Sequence, residues 1–158
     1  MPSVYDVPAT ELIKCIAEKL KKEFREIQPP AQSIFWKTSC AKEIAPIDHE
    51  NFWYIRCASL LRKLYIRKNI GVHRLKRLYG ARDKNHMHKK HKRAGSGAII
   101  RRCLQQLEKV DLVKTIEGKG RILTPKGYSL LDKTALEIYK KEPIEYYTKY
   151  SLEVEENK

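Results

Sequence analysis

Apolar side chains recur at helical spacing near the N-terminus of the chain. The stretch VPATELIKCIAEKLKKEF therefore predicts an amphipathic helix. We expect Asp6 to cap its start, Pro8 to lie in its first turn and Gln28-Pro29-Pro30 to follow its end. The positions that form its buried stripe are Leu12, Ile13, Ile16, Leu20 and Phe24.

A second helix is predicted from about Asp48 to Lys68, after an irregular stretch that reaches Pro46. In that stretch, Ile34, Phe35 and Trp36 are expected to pack back onto the body of the protein. The broad apolar face of the second helix comprises Phe52, Trp53, Ile55, Ser59, Leu60, Leu61, Leu64 and Tyr65. Its basic residues fall largely elsewhere on the helical wheel: Arg56, Arg62, Lys63, Arg67 and Lys68.

The sequence VHRLKRLY, after Gly71, predicts a short third helix. Its inward positions are Val72, Leu75 and Leu78/Tyr79, and its other face holds Arg74, Lys76 and Arg77. From Gly80 to Gly97 the chain has almost no apolar residues, which indicates a long loop.

Ser96 is a candidate cap for a fourth helix that extends to about Val110. The inward positions of this helix are Ile99, Ile100, Cys103, Leu104 and Leu107, and the outward ones are Arg101, Arg102, Gln105 and Gln106.

Two short strands are predicted next, because LVKTI and RILT flank the turn Glu117-Gly118-Lys119-Gly120. Thr124-Pro125 then begins a last helix to about Lys141. The order of elements predicts a mainly α fold, a winged helix-turn-helix-like domain with a two-stranded β-hairpin wing. We expect one domain over residues 1–142 and an acidic C-terminal extension over residues 143–158, which has no assigned role.

The positive charge is concentrated in one part of the chain. The whole sequence has a net charge of +14, but Arg56 to Arg102 alone contains sixteen Lys and Arg and a single acid, Asp83. The remaining residues carry seventeen bases and eighteen acids, so they are nearly neutral. A patch of this kind implies a polyanionic partner.

Composition limits the class of protein further. The 42% of hydrophobic residues is enough for a core in a chain of 158 residues, so a disordered protein is not expected. Cys15, Cys40, Cys57 and Cys103 are widely spaced, which does not fit a disulfide framework or a zinc knuckle. With no signal-like or long apolar segment, the sequence predicts a soluble intracellular protein with reduced, mostly core-filling cysteines.

The stretch HMHKKHKR, residues 86–93, has two interpretations. Its histidines at 86, 88 and 91 are possible zinc ligands. Four Lys and Arg lie within the stretch itself and Lys84 lies just before it, however, and their charge opposes the entry of a dication. A solvated or phosphate-binding basic loop is therefore favoured, and no metal or cofactor is expected.

Catalytic motifs such as a P-loop, HExxH or GxSxG are absent from the sequence, and Asp48-His49-Glu50 is explained by a helix start. Enzymatic activity is not expected. Nucleic-acid binding accounts for the charge, since Lys and Arg that neutralise phosphates release counterions and give affinity that falls with salt.

DNA and RNA remain alternative partners. Arg101, Arg102, Gln105 and Gln106 on the fourth helix suit major-groove reading by a winged-helix transcription regulator. Most of the charge lies outside that helix, on the preceding helices and the long loop. A spread-out patch of this kind fits irregular folded RNA better.

Several motifs, in the same order along nearly the whole chain, resemble the small-subunit ribosomal protein nineteen family of archaea and eukaryotes. They are FWYIRCASLLRKLYIR, GVHRLKRLYG, HKRAGSGAIIRRCLQQLE and GRILTPKG. The resemblance implies a winged-helix-like protein of the head of the small ribosomal subunit. It also implies binding to ribosomal RNA and, in eukaryotes, a role in maturation of the small-subunit rRNA precursor.

The resemblance also suggests functional positions. Arg56 and Arg62 match arginines of the family's central helix, with Tyr65 and Arg67 continuing the pattern. Arg101 and Arg102 match the paired arginines after its GSG-like turn, and Gly120-Arg121 match the start of its second hairpin strand. His91 matches a loop histidine, whereas Lys89 replaces a usual proline and His86 a common glycine. The full set of candidate RNA-binding residues is Arg56, Arg62, Lys63, Arg67, Arg74, Lys76, Arg77, Arg82, Lys89, Lys90, His91, Lys92, Arg93, Arg101, Arg102 and Arg121.

From the resemblance we expect a monomer within the ribosome that contacts rRNA and neighbouring small-subunit proteins. No membrane or small-molecule substrate is expected. The location would be the cytoplasm, with a nucleolar stage during assembly in a eukaryote.

Overall fold

Five helices and two small antiparallel sheets make up the protein, in a computed structural model that describes residues 2–83, 87 and 91–141. The predicted mainly α, winged-helix-like fold is confirmed. In chain order the elements are α1 (Ala9–Glu23), a 3₁₀ helix (Ala31–Phe35), α2 (His49–Arg67), α3 (Val72–Leu78), β1 (Ala81–Arg82), β2 (Lys92–Arg93), α4 (Gly97–Lys109), β3 (Val113–Ile116), β4 (Gly120–Leu123) and α5 (Pro125–Lys141). Residues 142–158 lie outside the described residues, so the acidic extension stays a sequence-based prediction.

Helix α2 is the centre of the fold, because it packs against α1, α4, α5 and β4. It begins where predicted: the Asp48 carboxylate caps it by accepting a 3.2 Å hydrogen bond from the Asn51 backbone N–H. The buried residues of α2 are Trp53, Tyr54, Cys57, Ala58, Leu60, Leu61 and Leu64. Ile55, predicted to face inward, is instead 42% exposed.

Helix α1 starts differently from the prediction. The Asp6 carboxylate accepts hydrogen bonds from the backbone N–H and the hydroxyl of Ser3, at 2.7 and 2.8 Å, and Pro8 takes the N-cap position. Asp6 as helix cap and Pro8 within the first turn are therefore wrong. The Ser3 donors lie three residues upstream and form a local turn with Asp6, which sequence periodicity does not reveal.

Helix α4 buries the five residues predicted to face inward. Ser96 occupies its N-cap, but its side chain makes no capping hydrogen bond to the described residues. Instead, the Ser96 backbone N–H donates to the Thr38 carbonyl oxygen over 2.7 Å. The position of the helix start was predicted correctly, and the capping bond was not.

The segment from Gly80 to Gly97 is not wholly irregular. β1 and β2 pair antiparallel, Ala81 opposite Arg93 and Arg82 opposite Lys92. A two-residue polar ladder held by backbone bonds has no apolar alternation, so a sequence pattern cannot reveal it. Just before it, Leu75 of α3 is buried as predicted, but Leu78 is 43% exposed and only Tyr79 turns inward.

The hairpin of β3 and β4 forms the predicted wing, with Val113 opposite Leu123. Its second strand is joined to the α2–α3 connection, since Ile70 and Arg121 exchange backbone hydrogen bonds of 3.2 and 3.1 Å. Gly120 has a φ of +107°, and a Cβ there would lie 2.9 Å from the backbone of Ile70. This contact requires glycine and fixes the wing on the body.

The stretch between α1 and α2 packs on the body through Trp36, whose ring centre lies 6.2 Å from that of Trp53. Ile34 and Phe35, predicted to pack with it, are 52% and 82% exposed. Further along, Ser39 forms an isolated antiparallel bridge with Gly95, and its hydroxyl donates to the Ala94 carbonyl oxygen over 3.0 Å. This bridge holds the stretch against the start of α4.

Two of the cysteines fill the core as predicted: Cys57 on α2 and Cys103 on α4 are fully buried. Cys15 is half-buried, whereas Cys40 is exposed and so does not serve as core. Among the described residues, none of the helices is both long and apolar enough to cross a membrane.

Candidate nucleic-acid interface

Two cations of α2 lie on one aromatic ring. The Arg56 guanidinium is 4.2 Å from the centre of the Tyr79 ring, and the Lys63 ammonium is 4.5 Å from the same centre. The Phe52 ring lies 4.9 Å from the Arg56 guanidinium, and the Tyr79 hydroxyl is 2.8 Å from that of Ser59. We call Phe52, Arg56, Ser59, Lys63 and Tyr79 the aromatic–cation cluster. Its geometry places Arg56, Ser59 and Lys63 on one face of the helix.

The environment of this cluster favours an incoming negative charge. Burial, followed by repulsion from Arg56 and Arg62, lowers the pKa of Lys63. Burial raises the pKa of the Tyr79 hydroxyl, so the ring stays neutral beneath the cations. Among the described residues, no carboxylate forms an ion pair with Arg56 or Lys63. A phosphate group would relieve the repulsion between these cations.

Arg62 on α2 and Arg121 on β4 are half-buried, and the Nε of each has no hydrogen-bond partner among the described residues. Buried donors of this kind are usually satisfied. Arg121 lies on the wing rather than in the aromatic–cation cluster. Arg67 is exposed at the last residue of α2.

The basic residues of α3 and of the β1–β2 ladder differ in exposure. Arg74, Arg77, Arg82, Lys92 and Arg93 are exposed, whereas Lys76 is half-buried against the start of α4. Arg93 has a partner, because its Nε lies 3.2 Å from the Asp83 carboxylate. The remaining five form no ion pair with a described residue.

The outward face of α4 is smaller than predicted. Arg101, Arg102 and Gln105 are exposed, and the Arg102 guanidinium lies 4.5 Å from the centre of the Trp36 ring. Gln106, predicted to be outward, accepts a 2.8 Å bond from the Trp53 indole and donates a 2.7 Å bond to the Gln28 carbonyl oxygen. Its amide is therefore engaged within the protein.

Part of the HMHKKHKR stretch lies outside the described residues, including His86, His88, Lys89 and Lys90. His91 is described and exposed, and its carbonyl oxygen accepts a 2.8 Å bond from the Asp83 N–H. Within the described residues, no group of three or more His, Cys, Asp or Glu is placed to hold a metal ion.

Sequence reasoning missed the aromatic residues that order the cations. Phe52, Trp36 and Tyr79 were interpreted as core positions, yet each also lies against an arginine. It missed Lys37 as well, which lies beside Lys76 and Lys92 around one depression although thirty-eight residues separate Lys37 from Lys76. The spacing of Phe52 and Arg56 on α2 was the available signal for one of these pairs. The others depend on tertiary contacts.

The fold and this surface define a winged-helix-type protein with a basic face built from α2, α3, the β1–β2 ladder and α4. The sequence profile of the ribosomal protein S19e family matches residues 3–141, and the chain belongs to that family.

Relatives named small ribosomal subunit protein eS19 are similar over most of their length. The protein of Aeropyrum pernix is 42% identical over 139 residues, which cover 87% of this chain and 90% of the relative. That of Entamoeba histolytica is 40% identical over 139 residues, covering 87% of each chain. That of Haloarcula marismortui is 43% identical over 141 residues, covering 85% and 90%. The predicted family is confirmed.

Proposed function

We propose that this protein is a structural component of the small ribosomal subunit that binds ribosomal RNA and has no enzymatic activity. The observation that carries the proposal is the aromatic–cation cluster, where Arg56 and Lys63 rest on Tyr79 with no carboxylate partner among the described residues. Arginine in such a site can bond a phosphate with its planar fork. The names of the relatives support the ribosomal setting.

Two features favour RNA over a DNA-reading role. Gln106 is one of the four α4 residues that were predicted to suit base contacts. Its side-chain amide is instead hydrogen-bonded to Trp53 and Gln28 within the protein. The exposed basic residues are also spread over α2, α3, the β1–β2 ladder and α4. A groove-reading helix concentrates its contacts, whereas an irregular RNA surface is met by dispersed phosphate contacts.

The proposed partners are small-subunit rRNA and neighbouring small-subunit proteins, with one copy of the protein in each subunit. Its place is the cytoplasmic ribosome, with a nucleolar stage during assembly in a eukaryote. A role in subunit assembly and pre-rRNA maturation follows if the rRNA segment folds around the basic face. The candidate contact residues are those named from the sequence, including Lys89 and Lys90 outside the described residues.

Fractionation of a cell lysate on a sucrose gradient tests the proposal. The protein should sediment with small subunits at low salt and leave them at high salt, since affinity carried by 6–10 phosphate contacts falls by about 10³–10⁵ between 50 and 200 mM salt. Arg56→Gln with Lys63→Gln should shift it to the top of the gradient. Recovery of the unaltered protein only in free or nucleoid fractions would reject the ribosomal role and favour the DNA-binding alternative.

A further inference from the structure

A basic depression lies where three distant parts of the chain meet. It has a volume of about 720 Å³ and lies between the stretch after the 3₁₀ helix, α3, β2 and the first residue of α4. Its basic residues are Lys37, Lys76, Lys92 and Arg93. Lys37 comes from the stretch that the Ser39–Gly95 bridge holds in place. We call this the α4 depression.

The charges of the depression are only partly compensated. Arg93 pairs with Asp83, but Lys37, Lys76 and Lys92 form no ion pair with a described residue. Three ammonium groups around one depression that are not paired with a carboxylate repel one another. An anion between them would remove that repulsion, and each lysine can donate to an oxygen as a compact point charge.

The start of α4 adds backbone donors to these cations. Gly95, Ser96 and Gly97 line the depression, but the N–H groups of Gly95 and Ser96 already donate to the carbonyl oxygens of Lys76 and Thr38. The donors that remain are the first-turn N–H groups of α4, on which Ser96 places no side-chain oxygen within the described residues. The N-terminus of a thirteen-residue helix, the positive end of its dipole, therefore lies beside the lysines. At Gly97 a Cβ would lie 3.0 Å from the Lys76 side chain, so glycine lets Lys76 lie close to the helix start.

We propose that the α4 depression is a phosphate-binding subsite, which holds one backbone phosphate of the bound RNA between Lys37, Lys76, Lys92 and the first turn of α4. The subsite rests on the proposed function, and it specifies one position at which the RNA backbone is held. Lys37 and Lys92 are exposed and Lys76 is half-buried, so the subsite would contact a single phosphate from three separate segments of the chain. About 720 Å³ also leaves room for the adjoining sugar and base.

Cys40 provides a direct probe, because it lines the same depression and is exposed. The full chain is treated with N-ethylmaleimide, an uncharged thiol reagent, and each cysteine is followed by peptide mass spectrometry. Cys57 and Cys103 are buried, and half-buried Cys15 on α1 serves as the internal reference. Purified small-subunit rRNA at ten times its Kd should slow modification of Cys40 about tenfold, as mass action requires, and leave Cys15 unchanged.

Lys76→Gln and Lys92→Gln test whether protection depends on phosphate binding. Each should restore most of the Cys40 rate while fluorescence anisotropy shows that rRNA is still bound through the remaining basic residues. Each should also lower the salt slope of binding by about one counterion. Lys133→Gln, a charge-matched control on the exposed side of α5, should leave protection and slope unchanged.

The outcomes separate the subsite from the proposed function. Bound rRNA with unprotected Cys40 would overturn the subsite and leave RNA binding intact, as would protection that survives both lysine variants. Protection by 10 mM inorganic phosphate without protection by rRNA would identify a free-anion site and overturn the proposal. Failure of the unaltered protein to bind rRNA at all would overturn the subsite and the proposed function together.

Discussion

The Arg56 guanidinium lies 4.2 Å from the centre of the Tyr79 ring, although Arg56 belongs to α2 and Tyr79 follows the end of α3. Because the Lys63 ammonium lies 4.5 Å from the same centre, one ring orders two cations. Each of these long side chains carries about 2 kcal/mol of rotamer entropy, part of which is already lost before a ligand arrives. The cluster is therefore organised for an anion in advance.

Replacement of Tyr79 by leucine should weaken rRNA binding without changing any charge. We expect a loss of about 2- to 30-fold in affinity, since a cation–π contact at a partly desolvated site is worth about 0.5–2 kcal/mol. Tyr79→Phe keeps the ring and should bind within about twofold of the unaltered protein, losing only the contact with Ser59. Anisotropy titrations at several salt concentrations provide the measurement.

The salt slope distinguishes positioning from direct contact. In Tyr79→Leu the number of phosphates neutralised is the same, so the slope should not change. In Arg56→Gln the slope should fall by about one counterion, because a cation is removed. A reduced slope in Tyr79→Leu would contradict the positioning role and indicate that the cluster had come apart.

The paired arginines of α4 give a second prediction. Arg101→Glu with Arg102→Glu should prevent incorporation into small subunits, because two phosphate-binding charges become repulsive. The isolated protein should stay folded, since both side chains are exposed. Gradient sedimentation and circular dichroism are the measurements.

Lys133→Glu with Lys140→Glu is the matched control for this variant. It makes the same change in net charge on exposed residues of α5, away from the proposed interface. It should be incorporated normally. Equal defects in the two variants would mean that total charge, rather than the position of Arg101 and Arg102, governs assembly.

The regular elements of this fold were predictable because their apolar residues recur with a regular period along the sequence. The buried stripe of α4 and the glycine turn of the wing both followed from spacing alone, and Asp48 was recognisable as a cap. Asp6 looked equally suitable as a cap, but its carboxylate instead accepts hydrogen bonds from the backbone N–H and the hydroxyl of Ser3. Competition between two local hydrogen-bond patterns cannot be resolved by counting residues.

The positive charge of the candidate interface was predictable from the sequence, but the arrangement of its side chains was not. Sixteen basic residues in one segment indicated a polyanion partner, and Arg56 and Lys63 were among the candidate contact residues. Their common support, Tyr79, was not foreseen, because it directly follows another helix, α3, and was interpreted as core. Lys37 reaches the α4 depression because Ser39 bridges Gly95 and the Thr38 carbonyl oxygen accepts from the Ser96 N–H, and no local sequence pattern predicts these backbone contacts.

Stability at alkaline pH should depend on Tyr65. Its hydroxyl donates a 2.8 Å bond to the Asp132 carboxylate, and burial together with that bond raises the pKa of Tyr65 from 10.0 to about 12. Because the folded-state pKa is the higher one, the stabilisation is complete below pH 10 and is lost as the pH rises to about 12. Urea unfolding at a series of pH values measures it.

Tyr65→Phe isolates this contribution. At pH 7 the variant should be less stable by about 1 kcal/mol, since a partly exposed hydrogen bond to a carboxylate is lost. The difference from the unaltered protein should shrink as the pH approaches 12, because the unfolded tyrosine is then ionised in the reference protein. A difference that is constant from pH 7 to 12 would show that Tyr65 titrates alike in both states.

The wing depends on glycine at one position of its turn and much less at another. Gly120→Ala should lower the free energy of unfolding by about 2–4 kcal/mol, because φ is +107° and the new Cβ would lie 2.9 Å from the Ile70 backbone. Gly118→Ala has a φ of +69° but no atom within 4 Å of its Cβ, so only the strained backbone remains, at about 1–2 kcal/mol. Gly118→Asn should cost less still, since asparagine tolerates the left-handed region.

Thermal unfolding followed by circular dichroism ranks the three variants. If Gly120→Ala were no worse than Gly118→Ala, the wing would not be pinned to the α2–α3 connection.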